Sequence, residues 1–274
     1  MIMKVYRFED KIEIETTVYV LGCFESLHLG HYSLFKKALA LSKNAVLMLI
    51  KDPFLLPKSN EKNIFELNTR LQIAADIGFK FVKLVDFEQI SNLSGKQFLE
   101  TLCSNQKDTY FIFGSDFRFG YNAINNANNI LNWYPNSISV QLQKINQTKI
   151  SSSLIKNQII LGYIQFANSL LISNWAINIL LDINLSFAWP NVIKAKEGIY
   201  GAIIEIDDFS FYCALKIQER SYIEFIDFKV NKFNIINRNL SLTIVKEIRF
   251  TNEKISKNDI RLIKEYFNKG EKYD

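Results

Sequence analysis

The chain of 274 residues carries only two histidines, and they stand three positions apart at His28 and His31. The segment around them reads Gly22-Cys23-Phe24-Glu25-Ser26-Leu27-His28-Leu29-Gly30-His31. Residues of this kind can hold phosphate. Glycine at 22 lets the chain turn sharply, and glycine at 30 removes a side chain that would keep the backbone away from a ligand. The start of a following helix offers unpaired amide donors and the positive end of its dipole. Two imidazoles beside those donors can bind phosphate oxygens and stabilise charge that develops during attack on phosphorus. No nucleophilic side chain is needed, because phosphoryl-type transfer depends mostly on positioning and charge neutralisation. The residues alone therefore predict a nucleotidyl-transfer site. His28 and His31 are its catalytic candidates, and Gly22, Phe24 and Gly30 form its phosphate loop.

Two other strings bear on the same chemistry. In Ile150-Ser151-Ser152-Ser153-Leu154-Ile155-Lys156, the serines before an apolar run read as a helix cap, or as hydroxyls and amides that grip phosphate. In Gly114-Ser115-Asp116-Phe117-Arg118-Phe119-Gly120, Asp116 at a strand end reads as a turn aspartate, or as an aid to Mg²⁺ or ring placement. Taken together, the three strings resemble the bacterial FAD synthetases. That family usually reads Gly-x-Phe-Asp-Gly-Val-His-x-Gly-His, Gly-x-Asp/Asn-Phe-x-Phe-Gly and Ile-Ser-Ser-Thr/Ser-x-Ile-Arg. Glu25, Ser26 and Lys156 are departures from it, and a lysine at 156 keeps the charge but loses the bidentate fork of arginine. The resemblance implies ATP and FMN as substrates, with Mg²⁺ bridging phosphate oxygens and no metal ligands supplied by the protein. It implies that Ser152, Ser153 and Lys156 bind ATP phosphates, and that Asp116, Phe117 and Phe119 bind flavin; from the residues alone, Phe117 and Phe119 either flank an isoalloxazine ring or, in a chain with 22 phenylalanines, belong to the core. It also implies that Lys51-Asp52-Pro53 borders the pocket.

These residues need a scaffold. Apolar, β-rich runs at 17–22, 45–50, 81–87 and 110–114, and a fifth at 137–145, alternate with helical patterns at 31–42, 65–77 and 95–104. Alternation of this kind predicts an α/β, Rossmann-like parallel sheet with ligands beyond the carboxyl ends of its strands. After residue 150 the pattern changes. Two short helices split by Gly162 precede strand-like runs at 199–206, 210–217, 222–228 and 240–248. Strands without intervening helices predict a small antiparallel β-barrel. A closing helix opens on a Ser256–Asp259 capping box and ends at Gly270. The expected domains are 1–173, resembling an FMN adenylyltransferase, and 174–274, resembling a riboflavin kinase.

The second half lacks that kinase's chemistry. The family's Gly-x-Pro-Thr-Ala-Asn stretch corresponds to Leu185-Ser186-Phe187-Ala188-Trp189-Pro190-Asn191-Val192, which has neither the glycine nor the threonine. The usual catalytic Glu falls on Tyr222, with Glu224 two residues on and on the same strand face. A degenerate kinase barrel is expected, with a divergent but competent kinase or a non-catalytic flavin- or nucleotide-binding protein as alternatives. Adenylylation of another phosphate acceptor is a further rival. A net charge of +5 without a basic run gives no support to a nucleic-acid partner. The charged start lacks a secretory pattern, and the apolar stretch near 170–189 is broken by polar residues, so no membrane span is expected. Three scattered cysteines fit a reducing, cytoplasmic setting.

Overall fold

Strands buried on both faces need continuous apolar sequence, and the first half supplies it: every residue of Val46–Ile50 is buried. The computed structural model describes residues 3–13, 17–56, 62–104, 106, 108–141, 144–145, 148–207, 209–228 and 235–270. In chain order its elements begin with β1 (Lys4–Arg7), β2 (Thr17–Leu21), α1 (Leu29–Leu41) and β3 (Val46–Ile50). A 3-10 turn at Pro53–Leu55 leads to α2 (Leu67–Ile77), β4 (Phe81–Val85), α3 (Phe87–Ile90), α4 (Gly95–Leu102) and β5 (Thr109–Gly114). Then come the short pair β6 (Arg118–Phe119) and β7 (Asn125–Asn126), α5 (Ala127–Trp133), β8 (Ile138–Val140), and the pair β9 (Lys144–Ile145) and β10 (Thr148–Lys149). The remainder is α6 (Ser152–Leu161), α7 (Ile164–Leu170), β11 (Ala176–Leu180), β12 (Ser186–Ala188), β13 (Gly198–Ile206), β14 (Phe209–Ile217), β15 (Arg220–Phe225), β16 (Asn239–Arg249) and α8 (Lys257–Gly270).

The chain divides into two compact units, one of residues 1–63 with 67–151 and the other of 64–66 with 152–274. In the first, strands run β1-β4-β3-β2-β5-β8, all parallel. From β2 the chain builds outward through β3 and β4 on one side and through β5 and β8 on the other. The carboxyl ends of β2 and β5 therefore meet at the topological switch point, where such sheets bind ligands. Tyr19, Leu21, Met48, Ile50, Phe111 and Phe113 point to one face and pack with Phe98, Leu99 and Leu102 of α4 and Ile130 of α5. α1 contacts β2 and β5. The fifth strand is shorter than expected, because after Val140 the chain leaves the sheet and β9 pairs with β10. β1 was not anticipated: its residues are mostly exposed, so it lacks the apolar run that marks the other strands.

The second unit is an antiparallel sheet ordered β11-β16-β13-β14-β15-β12. Its edge strands β11 and β12 touch, so the sheet nearly closes into a barrel. Gly162, at φ +88°, separates α6 from α7 as its type requires. β15 ends before the expected 228 because Asp227 takes a left-handed φ of 59°. The predicted cap of α8 is present: Asp259 N–H donates to Ser256 Oγ at 3.2 Å, and Ser256 Oγ donates to Asp259 Oδ2 at 2.7 Å. Ile263 and Phe267 of α8 then pack on Ala214 and Val245.

Candidate active site

The loop after β2 is built tightly around its own side chains. A β-carbon at Gly22 would lie 2.5 Å from the Phe24 ring, so glycine there makes room for that ring. Phe24 and Leu27 hold left-handed φ values of 50° and 45°, which bulky residues rarely adopt. Their buried side chains fix the loop in this form, with Glu25 and Ser26 buried between them. Conformations of this cost persist where packing over-determines them, and they concentrate at functional sites. His28 follows with extended backbone as the N-cap of α1, and its carbonyl accepts from His31 N–H at 2.8 Å.

The result is a stacked pair of imidazoles. The His28 and His31 rings lie 3.6 Å apart at 11°, and the Phe24 ring meets His31 edge-on at 4.9 Å. Gly30 is the condition for this arrangement, because a β-carbon there would stand 2.9 Å from the His28 ring. Burial first and nearby Lys149 second lower the His28 pKa to about 4, against a backbone hydrogen bond that raises it. His31 is also held well below the usual range, first by burial and then by His28 and Lys149. Both rings are therefore neutral at pH 7. Each Nδ1 is buried with no hydrogen-bond partner among the described residues. Buried polar groups normally find partners, which makes two such imidazole nitrogens on stacked rings unusual.

The same loop borders a cavity of about 670 Å³ at the carboxyl ends of the strands. Its lining includes Gly22, Cys23, Met48 and Ile50 together with Phe87, Phe98, Phe117 and Phe119. Phe117 and Phe119 stack on each other at 5.5 Å and 12°, with Phe119 also touching Phe98 and Trp133. They form one wall and do not flank a slot. Asp116 is absent from the described lining and makes an ion pair with Lys149. Asp52 leads into the 3-10 turn that brings Leu56 to the cavity, while Lys51 pairs with Asp86 at 3.4 Å. Ser152, Ser153 and Lys156 open α6 in the other unit, with Lys156 buried.

Arg70 of α2 was missed by sequence reasoning. It is fully buried, and its guanidinium donates to the carbonyls of Ile50, at 2.7 Å, and Lys51. Burial lowers its pKa, and Cys23, Glu25 and Asp52 oppose that fall. Arg70 therefore holds the end of β3 against the loop. An arginine on the inward stripe of an otherwise ordinary amphipathic helix was the available signal.

The barrel has a cavity of about 1020 Å³, lined in part by Arg220, Tyr222, Glu224 and Lys254. Tyr222 and Glu224 share that lining with Ile223 and Phe225 between and after them. Burial raises the Glu224 pKa. Phe187 stacks near Trp189 at 6.1 Å, and Trp189 packs on Trp175 at 6.1 Å. Within 185–192, Phe187 and Trp189 thus belong to an aromatic cluster, while Leu185 and Ser186 line the cavity. Among the described residues no three His, Cys, Asp or Glu side chains gather as a metal site, and no helix is long and apolar enough to cross a membrane.

A parallel sheet with a histidine-bearing loop at its switch point places the chain among the α/β proteins whose ligands bind at the carboxyl ends of the strands. The sequence profile of the FAD synthetase family matches residues 10–157, more than half of the chain. The chain belongs to the FAD synthetase family. It is 24% identical over 300 residues to the bifunctional riboflavin kinase/FMN adenylyltransferase of Buchnera aphidicola subsp. Acyrthosiphon pisum, covering 92% of this chain and 94% of that one. It is also 24% identical over 209 residues to the trifunctional protein RibF/MnmA of Mycoplasmoides gallisepticum, covering 74% of this chain and 29% of that one. A solved structure described as a macrolide-efflux protein from Streptococcus pneumoniae matches with a TM-score of 0.79 at 21% identity, over 90% of this chain and 100% of that one. That likeness shows the fold alone.

Proposed function

We propose that this chain transfers the AMP of ATP to the phosphate of FMN, giving FAD and pyrophosphate. The observation that carries the reading is the stacked, neutral His28–His31 pair on a loop that also borders the apolar cavity. A phosphate oxygen of FMN attacks the α-phosphorus of ATP, the bond to the bridging oxygen breaks, and pyrophosphate departs with that oxygen. A neutral imidazole carries one N–H and one lone pair, so each ring can donate to a phosphate oxygen without repelling its stacked neighbour. Gly30 seats the His28 ring beside the first turn of α1, whose amides are offered to the phosphates, and Gly22 and Phe24 hold the loop's shape. Phe117 and Phe119 supply an apolar wall for the flavin ring. Asp116 and Lys149 form the charged pair beside it. Ser152, Ser153 and Lys156 enter as ATP-phosphate residues on the family resemblance. Mg²⁺ accompanies ATP and would neutralise phosphate oxygens when bound, held mainly by the phosphates themselves.

The adenylyltransferase function is assigned to 1–173 and the kinase-like barrel to 174–274, in a cytoplasmic protein. The barrel is read as having lost riboflavin kinase activity, because 185–192 has neither the glycine nor the threonine of the family's stretch and its Phe187 and Trp189 pack on each other. Glu224 in the large barrel cavity favours the second reading, a divergent kinase. One experiment separates them. Purified chain with ATP and Mg²⁺ is expected to convert FMN to FAD and to leave riboflavin unphosphorylated. FMN formed from riboflavin at an enzymatic rate would establish the second reading, and FAD absent from the FMN reaction would overturn the first.

A further inference from the structure

The rim of the 670 Å³ cavity holds a side chain that no part of the proposed mechanism uses. Tyr121 lines the cavity with 51% of its surface exposed, although a large aromatic side chain at an apolar pocket would ordinarily be covered. Its backbone is pinned. Tyr121 N–H donates to the Leu93 carbonyl at 2.7 Å. Gly120 before it has a φ of +74°, and a β-carbon there would meet the Gly95 amide nitrogen at 2.7 Å, so the chain lies directly on the start of α4. Asn122 and Ala123 after it are both left-handed, at φ 53°. For an alanine that conformation is costly, and it recurs where surrounding structure over-determines a functional site. The loop thus fixes the base of Tyr121 and leaves its ring uncovered over the cavity.

We infer that Tyr121 covers a planar aromatic ring bound in this cavity, and under the function proposed above that ring is the isoalloxazine of FMN. Three observations converge on a flat ring. Phe87, Phe98, Phe117 and Phe119 line the cavity together with Tyr121, Phe117 and Phe119 present a single stacked surface, and the Tyr121 ring is half exposed. Aromatic rings gain from offset or edge-on contacts beyond the area they bury. Tyr121 is also the only tyrosine among the described lining residues, and no tryptophan is among them. Tyrosine in contact with an excited flavin quenches its emission by donating an electron, whereas phenylalanine is too poor a donor to do so. Position 121 therefore has a signature that a purely structural residue lacks.

The test titrates FMN into the full chain, reading heat for affinity and flavin emission for contact. FMN bound to the unaltered chain is expected to lose most of its emission. Tyr121→Phe is expected to hold FMN within threefold of the original affinity while the bound flavin becomes several-fold brighter. Tyr121→Ala is expected to weaken FMN about tenfold and leave ATP affinity within twofold, which also shows that the variant is folded. Bound FMN equally quenched by Tyr121→Phe, or held by Tyr121→Ala within twofold of the original affinity, would overturn the assignment. Failure of the unaltered chain to bind FMN at all would instead refute the FMN reading on which it rests.

Discussion

Replacing Gly30 with alanine should slow the enzyme without unfolding it. The new β-carbon would stand 2.9 Å from Cε1 and Nδ1 of His28 and 3.4 Å from Cβ of Ile150. Carbon contacts settle at about 3.5–4.0 Å, so the imidazole must retreat by roughly 0.6–1 Å. The retreat breaks a stack whose rings lie 3.6 Å apart. Misplacing a group by about 1 Å at a reacting centre costs on the order of 10²-fold in rate. The helix responds in the opposite direction, since alanine is better than glycine inside a helix by up to about 1 kcal/mol. Gly30→Ala is therefore expected to form FAD about a hundredfold more slowly, with a melting temperature equal to or slightly above the original. Steady-state FAD formation and a thermal melt measure both. In a His28→Ala background the collision is absent, and Gly30→Ala should then change the rate by less than about twofold, as a double-mutant cycle reports. A single variant within threefold of the original rate, or an equal loss in both backgrounds, would refute the claim that Gly30 exists to seat His28.

The buried histidine also leaves a mark on stability. With a folded pKa of about 4 against 6.5, His28 stays neutral in the folded chain while the unfolded chain gains a proton between those values. Its contribution is present above pH 6.5 and lost as pH falls towards 4, by about 3 kcal/mol at 1.36 kcal/mol per unit. Urea unfolding at pH 7 and pH 4 should show the original chain losing about that much more than His28→Gln; equal losses would contradict it. Arg70→Met leaves two carbonyl acceptors at the end of β3 without their donor and should cost about 3 kcal/mol in chemical denaturation, whereas a loss below about 1 kcal/mol would show the clamp to be dispensable.

Much of this design was legible in the residues because its physics is local. Continuous apolar runs marked β2 to β5, two glycines and two histidines marked the loop, and Ser256 with Asp259 marked the start of α8. Other parts were invisible because they depend on contacts between distant segments. The 3.6 Å stack of His28 on His31 cannot be read from a spacing of three, since the same spacing lets the rings point apart. Phe117 and Phe119 stand two apart and so share a face in extended chain, but their stacking at 5.5 Å and the packing of Phe119 on Phe98 and Trp133 depend on distant segments. Arg70 gave a polar signal on a helix, but its target is the end of a strand twenty residues earlier. The exposed ring of Tyr121 became meaningful only once the left-handed residues around it were known.

The central claim is that the α-phosphate of ATP moves to FMN through the site at His28 and His31. ATP radiolabelled at its α-phosphate tests it directly when incubated with the chain, FMN and Mg²⁺, with products separated by chromatography. The account predicts label in FAD in a one-to-one ratio with unlabelled pyrophosphate, and loss of that transfer by at least tenfold in His31→Ala. Label that stays in ATP, or passes to FAD as fast in His31→Ala as in the original chain, would contradict it.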